Sequence, residues 1–227
     1  MTFEVTILGC SSATPTADRH PSAQALLIRD TLCLIDCGEA TQNQLLHYRF
    51  KHNKIQHIFI SHLHGDHYLG LVGLLATINF QGREQELHIY GPEPLEKIIS
   101  DHFHFSGTII KFPLFFHPIT DDKPALILET DTFTVETIIL KHRIPTTGFI
   151  FREKNPARKI NLEACESALI PFTFYKDLQQ GKDYITKEGK IIPNEILTFA
   201  GDKAKAYAYV SDTLFQKNVV EAVKGVD

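Results

Sequence analysis

Three histidines and an aspartate fall within six consecutive positions, His62-Leu63-His64-Gly65-Asp66-His67, directly after the apolar run Ile58-Phe59-Ile60. A strand that ends near Ser61 hands over to a loop able to turn His62 and His64 toward one point and Asp66 and His67 toward a second point nearby. Imidazole and carboxylate together suit Zn²⁺, and a pair of such ions polarises a phosphoryl or acyl group while activating a water. A core without metal has no use for three imidazoles and a carboxylate so close together, because every buried polar group needs a partner. The cluster therefore predicts a dinuclear metallohydrolase. Others of the twelve histidines, such as His88 and His117, read as ordinary half-buried side chains.

Four ligands in one loop cannot complete two sites, so further ligands must come from elsewhere in the chain. His142, in K-H-R-I-P-T-T-G-F, and Asp212, in S-D-T, both follow strand-like runs, and a carboxylate with two oxygens can bridge two cations. Taken singly, the first is a loop histidine and the second a turn residue or helix N-cap. Their shared position at strand ends, where active sites gather on layered folds, is what selects them. Asp36 closes a strand before Cys37-Gly38 and reads either as a partner that orients a ligand histidine or as a strand-ending turn residue. Ser12, Thr14, Thr16 and Arg19 read either as contacts to substrate phosphates or as a Ser/Thr-rich turn.

The elements that must position these residues are read from periodicity. Strands are predicted at 3–8, 25–29, 32–36, 55–60, 87–90, 109–114, 125–128, 133–140 and 204–210, and helices at 39–48, 69–80, 92–104 and 214–223, with Pro92 in a first helical turn and Gly225 as a C-terminal cap. Strands mixed with helices along the whole length imply a layered α/β or α+β domain. From 153 to 193 the pattern turns polar and Lys-rich with no core-forming period, which reads as an inserted arm in a single domain spanning 1–227. The chain stops just after the last predicted helix, so a further C-terminal segment is expected.

Bulk properties narrow the function class. The net charge is −4, a weak argument against nucleic acid. Its distribution is uneven, since Arg152 to Lys190 holds eight Lys or Arg against six Asp or Glu, +2, leaving −6 for the remainder. No apolar run approaches the roughly 18 residues of a membrane span. The N-terminus, M-T-F-E-V-T-I-L-G, reads as a strand without the basic start and cleavage site of a signal peptide, so no membrane and a cytoplasmic location are expected. Cys10, Cys33, Cys37 and Cys165 show no paired C-x-x-C spacing, which argues for reduced thiols and against a thiolate zinc site.

H-L-H-G-D-H is similar to the signature of the metallo-β-lactamase superfamily. Three further stretches resemble motifs of its ribonuclease Z group, the endonucleases that trim the 3′ trailer from precursor tRNA: L-G-C-S-S-A-T-P-T-A-D-R-H-P-S, L-I-D-C-G-E-A-T-Q-N-Q-L and K-H-R-I-P-T-T-G-F. The resemblance covers essentially the whole chain. It implies an α/β fold of the four-layer αβ/βα sandwich type with a protruding arm, Zn²⁺ as cofactor, two ions per subunit with Mn²⁺ as an alternative, and a homodimer. It also implies a first metal site at His62, His64 and His142, a second at Asp66 and His67, Asp212 bridging the two, and Asp66 as general base. The 153–193 segment lies where the family's tRNA-binding arm is expected, although the Gly-Pro-containing turn of that arm is replaced by I-P-F-T-F-Y-K-D-L-Q-Q-G-K. The family's last histidine ligand, in a H-E-A-T-like motif, is expected beyond Asp227. The competing expectations are a hydrolase of small phosphodiesters or other esters, and an inactive RNA-binding fragment.

Overall fold

A computed structural model describes residues 2–14, 16–120, 122–154 and 157–227. The chain divides into two compact units, one formed by Met1–Arg152 with Ala206–Asp227 and the other by Glu153–Lys205.

The first unit is built on two sheets. Strands β1 (Phe3–Gly9), β2 (Ala23–Ile28), β3 (Thr31–Ile35), β4 (Ile55–Phe59), β5 (Leu87–Pro92) and β6 (Leu114–Ile119) lie side by side in sequence order. The first three pair antiparallel and the last four parallel. The second sheet orders β7 (Leu126–Glu129), β8 (Phe133–Leu140), β9 (Thr146–Glu153) and a closing strand, Ala206–Tyr209, so that the closing strand pairs with β9.

Alternation along the strands sorts the side chains into layers. Ile58 and Ile60 of the β4 region face helices α1 (Thr41–His47), α3 (Gly70–Phe80) and α4 (Pro94–Phe105), joining Leu45, Leu71, Leu74, Leu75, Ile78, Leu95 and Ile99 in one core. Phe59, one position out of phase, faces the other way and packs with Phe133, Phe149, Phe151 and Tyr209 of the second sheet. The outer face of that sheet, through Ile138, Leu140 and Ile150, is covered by Val219 of the last helix, Lys217–Ala222. Helix, sheet, sheet and helix thus stack in the αβ/βα order of the metallo-β-lactamase-like fold. Among the described residues no helix is long and apolar enough to cross a membrane.

Several boundaries differ from the sequence expectation. The strand expected at 109–114 runs instead from Leu114 to Ile119, because Pro113 has no N–H to give a ladder and its carbonyl accepts from Leu87 N–H at 2.9 Å. Pro92 ends β5, and Pro94 takes the first turn of α4. Strand β9 escaped the periodicity reading altogether: it is buried on both faces, so alternation is lost. Gly148 at its centre is required by closeness, since a Cβ there would sit 2.6 Å from the Tyr209 carbonyl oxygen.

The second unit has a core of its own, which the sequence reading of 153–193 did not foresee. Cys165, Ile170, Leu178 and Leu197 are buried together, contributed by the helices Leu162–Ser167, Tyr175–Gln179 and Asn194–Leu197 and the turn after the first. Each short element supplies a single core residue, which leaves no repeat to detect. Two small ladders complete the unit, Lys159–Ile160 with Thr198–Phe199 and Tyr184–Ile185 with Ile191–Ile192. Buried Asn194 ties them to the helices, donating through Nδ2 to the carbonyls of Leu178 and Lys182 and accepting from Thr198 Oγ1.

Candidate metal centre

The end of β4 delivers the cluster. Ser61 and His62 continue the buried strand path, and the turn through His64 opens the short helix α2 (Gly65–Tyr68), which carries Asp66 and His67. The loop is held from below by backbone bonds: Cys37 N–H donates to the His67 carbonyl at 2.7 Å, and Gly70 N–H donates to the Cys37 carbonyl at 2.9 Å. The contact is so close that a Cβ on Gly70 would lie 2.0 Å from the Gly38 oxygen, and one on Gly38 would lie 2.4 Å from the Asp66 oxygen.

His62, His64, His142 and Asp212 converge, with one ligand atom from each lying within 4.8 Å of all the others. His62 Nε2 is 3.0 Å and His142 Nε2 is 3.2 Å from His64 Nδ1, and His142 Nε2 is 3.7 Å from an Asp212 oxygen. Nitrogens bound to one tetrahedral Zn²⁺ at about 2.0–2.1 Å stand about 3.3–3.4 Å apart, so the donor set fits a cation with little adjustment. Without one, three ring nitrogens confront each other and a single proton can serve only one contact at a time. Asp66 and His67 form a second point beside the first. His67 Nε2 is 3.5 Å from Asp66 Oδ2, and the rings of His62 and His67 are 4.0 Å apart.

Asp36 orients both points. It takes a left-handed backbone conformation, φ 54°, and its fully buried carboxylate accepts from Ser61 N–H at 2.8 Å, Ser61 Oγ at 3.0 Å, Tyr209 Oη at 2.6 Å and His67 Nδ1 at 2.6 Å. An ionised carboxylate only accepts, so the His67 proton sits on Nδ1 and Nε2 is left free toward Asp66. Ser61 Oγ gives its proton to Asp36 and therefore accepts from His62 Nδ1 at 3.0 Å, which leaves His62 Nε2 free for the cluster. Both imidazoles are thus set in the tautomer a ligand needs.

The titration of these rings follows from the same contacts. Burial, together with the neighbouring His67 and His64 and against the pull of Asp36 and Asp212, lowers the His62 pKa to about 4, so the ring is neutral near pH 7. For His67, burial also opposes the charge, but the Asp36 hydrogen bond and the charges of Asp36, Asp66 and Asp212 outweigh it and raise the pKa.

Of the residues singled out from sequence, His62, His64, Asp66, His67, His142, Asp212 and Asp36 are brought together. Ser12, Thr14 and Arg19 are exposed and line a separate concavity with Cys10, Ser11, Thr16 and Asp18. Sequence reasoning missed Ser61 and Tyr209, whose hydroxyls complete the Asp36 network; nothing in their local patterns distinguishes them from other strand-end residues.

Comparison with known proteins agrees with this geometry. The ribonuclease Z of Bacteroides thetaiotaomicron is 40% identical over 225 residues, 99% of this chain and 71% of that protein. The ribonuclease Z of Porphyromonas gingivalis is 43% identical over 225 residues, 99% of this chain and 74% of its own length. The chain belongs to the ribonuclease Z family. Residues 3–154 also belong to the family whose model is described as Anti-Pycsar protein Apyc1. Among solved structures, the short form of human tRNase Z (ELAC1) is 37% identical with a TM-score of 0.61, over 65% of this chain and 64% of that one. The long form of RNase Z from yeast, 14% identical with a TM-score of 0.53 over 67% of this chain and 27% of that one, shares the fold. Membership of the ribonuclease Z family and the convergent donors describe a metallo-β-lactamase-fold metallohydrolase.

Proposed function

We propose that the chain is the metal-bearing part of an endoribonuclease that cleaves the 3′ trailer from precursor tRNA. The observation that carries the reading is the convergence of His62, His64 and His142 with Asp212 beside the Asp66–His67 pair, in a chain 40% identical to a ribonuclease Z. In this reading His62, His64 and His142 would hold one Zn²⁺ and Asp66 and His67 a second, with the Asp212 carboxylate shared between the two sites. The ions, when bound, neutralise charge on the phosphodiester and make a water nucleophilic near neutral pH. The chain's own groups do the rest. The Asp66 carboxylate takes the proton from the attacking water, and Asp36 keeps His67 and, through Ser61, His62 in fixed tautomers. The Glu153–Lys205 unit serves as a tRNA-binding arm, supported by its Lys-rich character and by exposed Phe172 and Phe199, which suit stacking on bases. A cytoplasmic homodimer acting on precursor tRNA completes the proposal.

A second reading is a hydrolase of small phosphodiesters or other esters. It is favoured by the Apyc1 match, which spans the metal loop and stops at the entry to the Glu153–Lys205 unit. The test is to incubate zinc-loaded protein with precursor tRNA and with bis(p-nitrophenyl) phosphate. Trailer release at a single position is expected, and cleavage of the small ester alone would sink the nuclease reading. An RNA-binding fragment without activity would show precursor binding and neither reaction.

A further inference from the structure

The segments that carry His142 and Asp212 also form one concavity of about 490 Å³, lined by Lys141, His142, Arg143, Asp212, Thr213 and Leu214. Two of its lining residues, His142 and Asp212, are candidate ligands, so the concavity borders the metal cluster. Lys141 and Arg143 flank His142 on either side, both exposed, and among the described residues neither head group has an ion-pair partner. The walls are pinned to each other: Lys141 N–H donates to Thr213 Oγ1 at 3.1 Å, Leu214 N–H donates to the Lys141 carbonyl at 2.9 Å, and Gln216 Nε2 donates to Thr213 Oγ1 at 3.2 Å. Leu214 leaves 63% of its surface exposed, an apolar ledge beside two unpaired cations.

We propose that this concavity is the subsite for the nucleotide adjoining the cleaved bond, with Lys141 and Arg143 gripping the flanking phosphate and Leu214 supporting its base. The inference rests on the nuclease reading and adds to it the feature that selects a polynucleotide over a simple diester. Two cations beside the metal cluster have no use for a substrate with a single phosphate. A strand with successive phosphates uses both the cluster and the cations, and an apolar surface next to a phosphate site matches the alternating charge and flat base of a nucleotide. The pinned walls mean that little ordering is needed on binding.

The test compares a dinucleoside monophosphate with the same compound carrying an additional 3′-phosphate, using zinc-loaded wild type, Lys141→Gln and Arg143→Gln. The flanking phosphate is expected to raise kcat/KM about tenfold in the wild type, and this gain should shrink to about twofold in either variant. Separately, fluorescence anisotropy of a labelled single-stranded oligoribonucleotide gives the slope of log Kd against log salt. Each substitution should reduce that slope by about 0.7, and Arg143→Lys should restore it. A phosphate gain that survives in both variants, with unchanged salt slopes, overturns the subsite while RNA cleavage by the wild type leaves the nuclease reading standing. Hydrolysis of bis(p-nitrophenyl) phosphate with no cleavage or binding of RNA overturns both. Thermal unfolding of each variant separates misfolding from lost recognition.

Discussion

Asp36 accepts from Ser61, His67 and Tyr209 while held at a positive φ, so it combines an uncommon backbone conformation with a buried charge that its donors satisfy. Asparagine tolerates the left-handed region, which makes Asp36→Asn a test of charge with the backbone preserved. We expect zinc affinity to fall about 10- to 100-fold in chelator competition, the range seen when a ligand histidine loses its orienting partner. Unchanged affinity would reduce Asp36 to a strand-ending turn. His57 gives a separate prediction. Burial, reinforced by neighbouring His88 and His117 against the opposing charge of Glu86, lowers its pKa from 6.5 to about 4. The unfolded chain thus binds more protons than the folded one between these values, so the contribution of His57 to stability is complete above pH 6.5 and is lost as the pH falls toward 4. His57→Gln should therefore flatten the acid limb, raising Tm at pH 5 relative to the wild type by about 2–4 °C, the span of ~1 kcal/mol in a domain this size. A parallel fall of Tm with pH in both proteins would exclude His57 as the cause.

At the scale of elements, the metal loop stays in place because α3 and the Cys37–Gly38 turn touch backbone to backbone. Gly70→Ala would force a Cβ to within 2.0 Å of the Gly38 oxygen, so the helix start must move. Calorimetry should show a loss of about 1–3 kcal/mol, and zinc affinity should fall with it. The sequence reveals those elements whose burial is one-sided or whose ligands are contiguous. Strands β1 to β5 and helices α1, α3 and α4 carry readable periods, and His62 to His67 announce themselves by density. β9 does not, because both its faces are covered, and β6 is displaced by the constraint of Pro113. His142 and Asp212 are legible only as strand-end residues. That His142 meets His64 of the loop at 3.2 Å, with Asp212 3.7 Å from His142, is a property of two sheets packed face to face, and local pattern does not encode it.

At the scale of the whole molecule, the Glu153–Lys205 unit departs and returns through register partners, since Arg152 lies opposite Ala206 across the β9 ladder. Replacing residues 153–205 by a two-residue Asn-Gly turn should leave the two sheets and the zinc stoichiometry intact, because a tight hairpin suits paired neighbours. If the unit is the tRNA arm, precursor affinity falls at least tenfold while bis(p-nitrophenyl) phosphate is still hydrolysed. Equal affinity with and without it would remove the arm from the proposal. The unit's own small core predicts that Leu178→Ala, which empties a fully buried position, costs about 2–5 kcal/mol locally. Hydrogen exchange confined to 153–205 would register that loss, and exchange spread across the sheets would show that the two units do not unfold separately.

Tyr209 donates to a carboxylate encoded 173 positions earlier, and His142 and Asp212 reach a loop that leaves the ribosome long before them. A nascent chain carrying only the first sheet offers the histidines of the 62–67 turn without their remaining partners, so chelation during synthesis is weak and reversible. If these residues hold metal as proposed, tight loading waits for the closing strand to dock, and the capture of metal becomes a marker of completed folding.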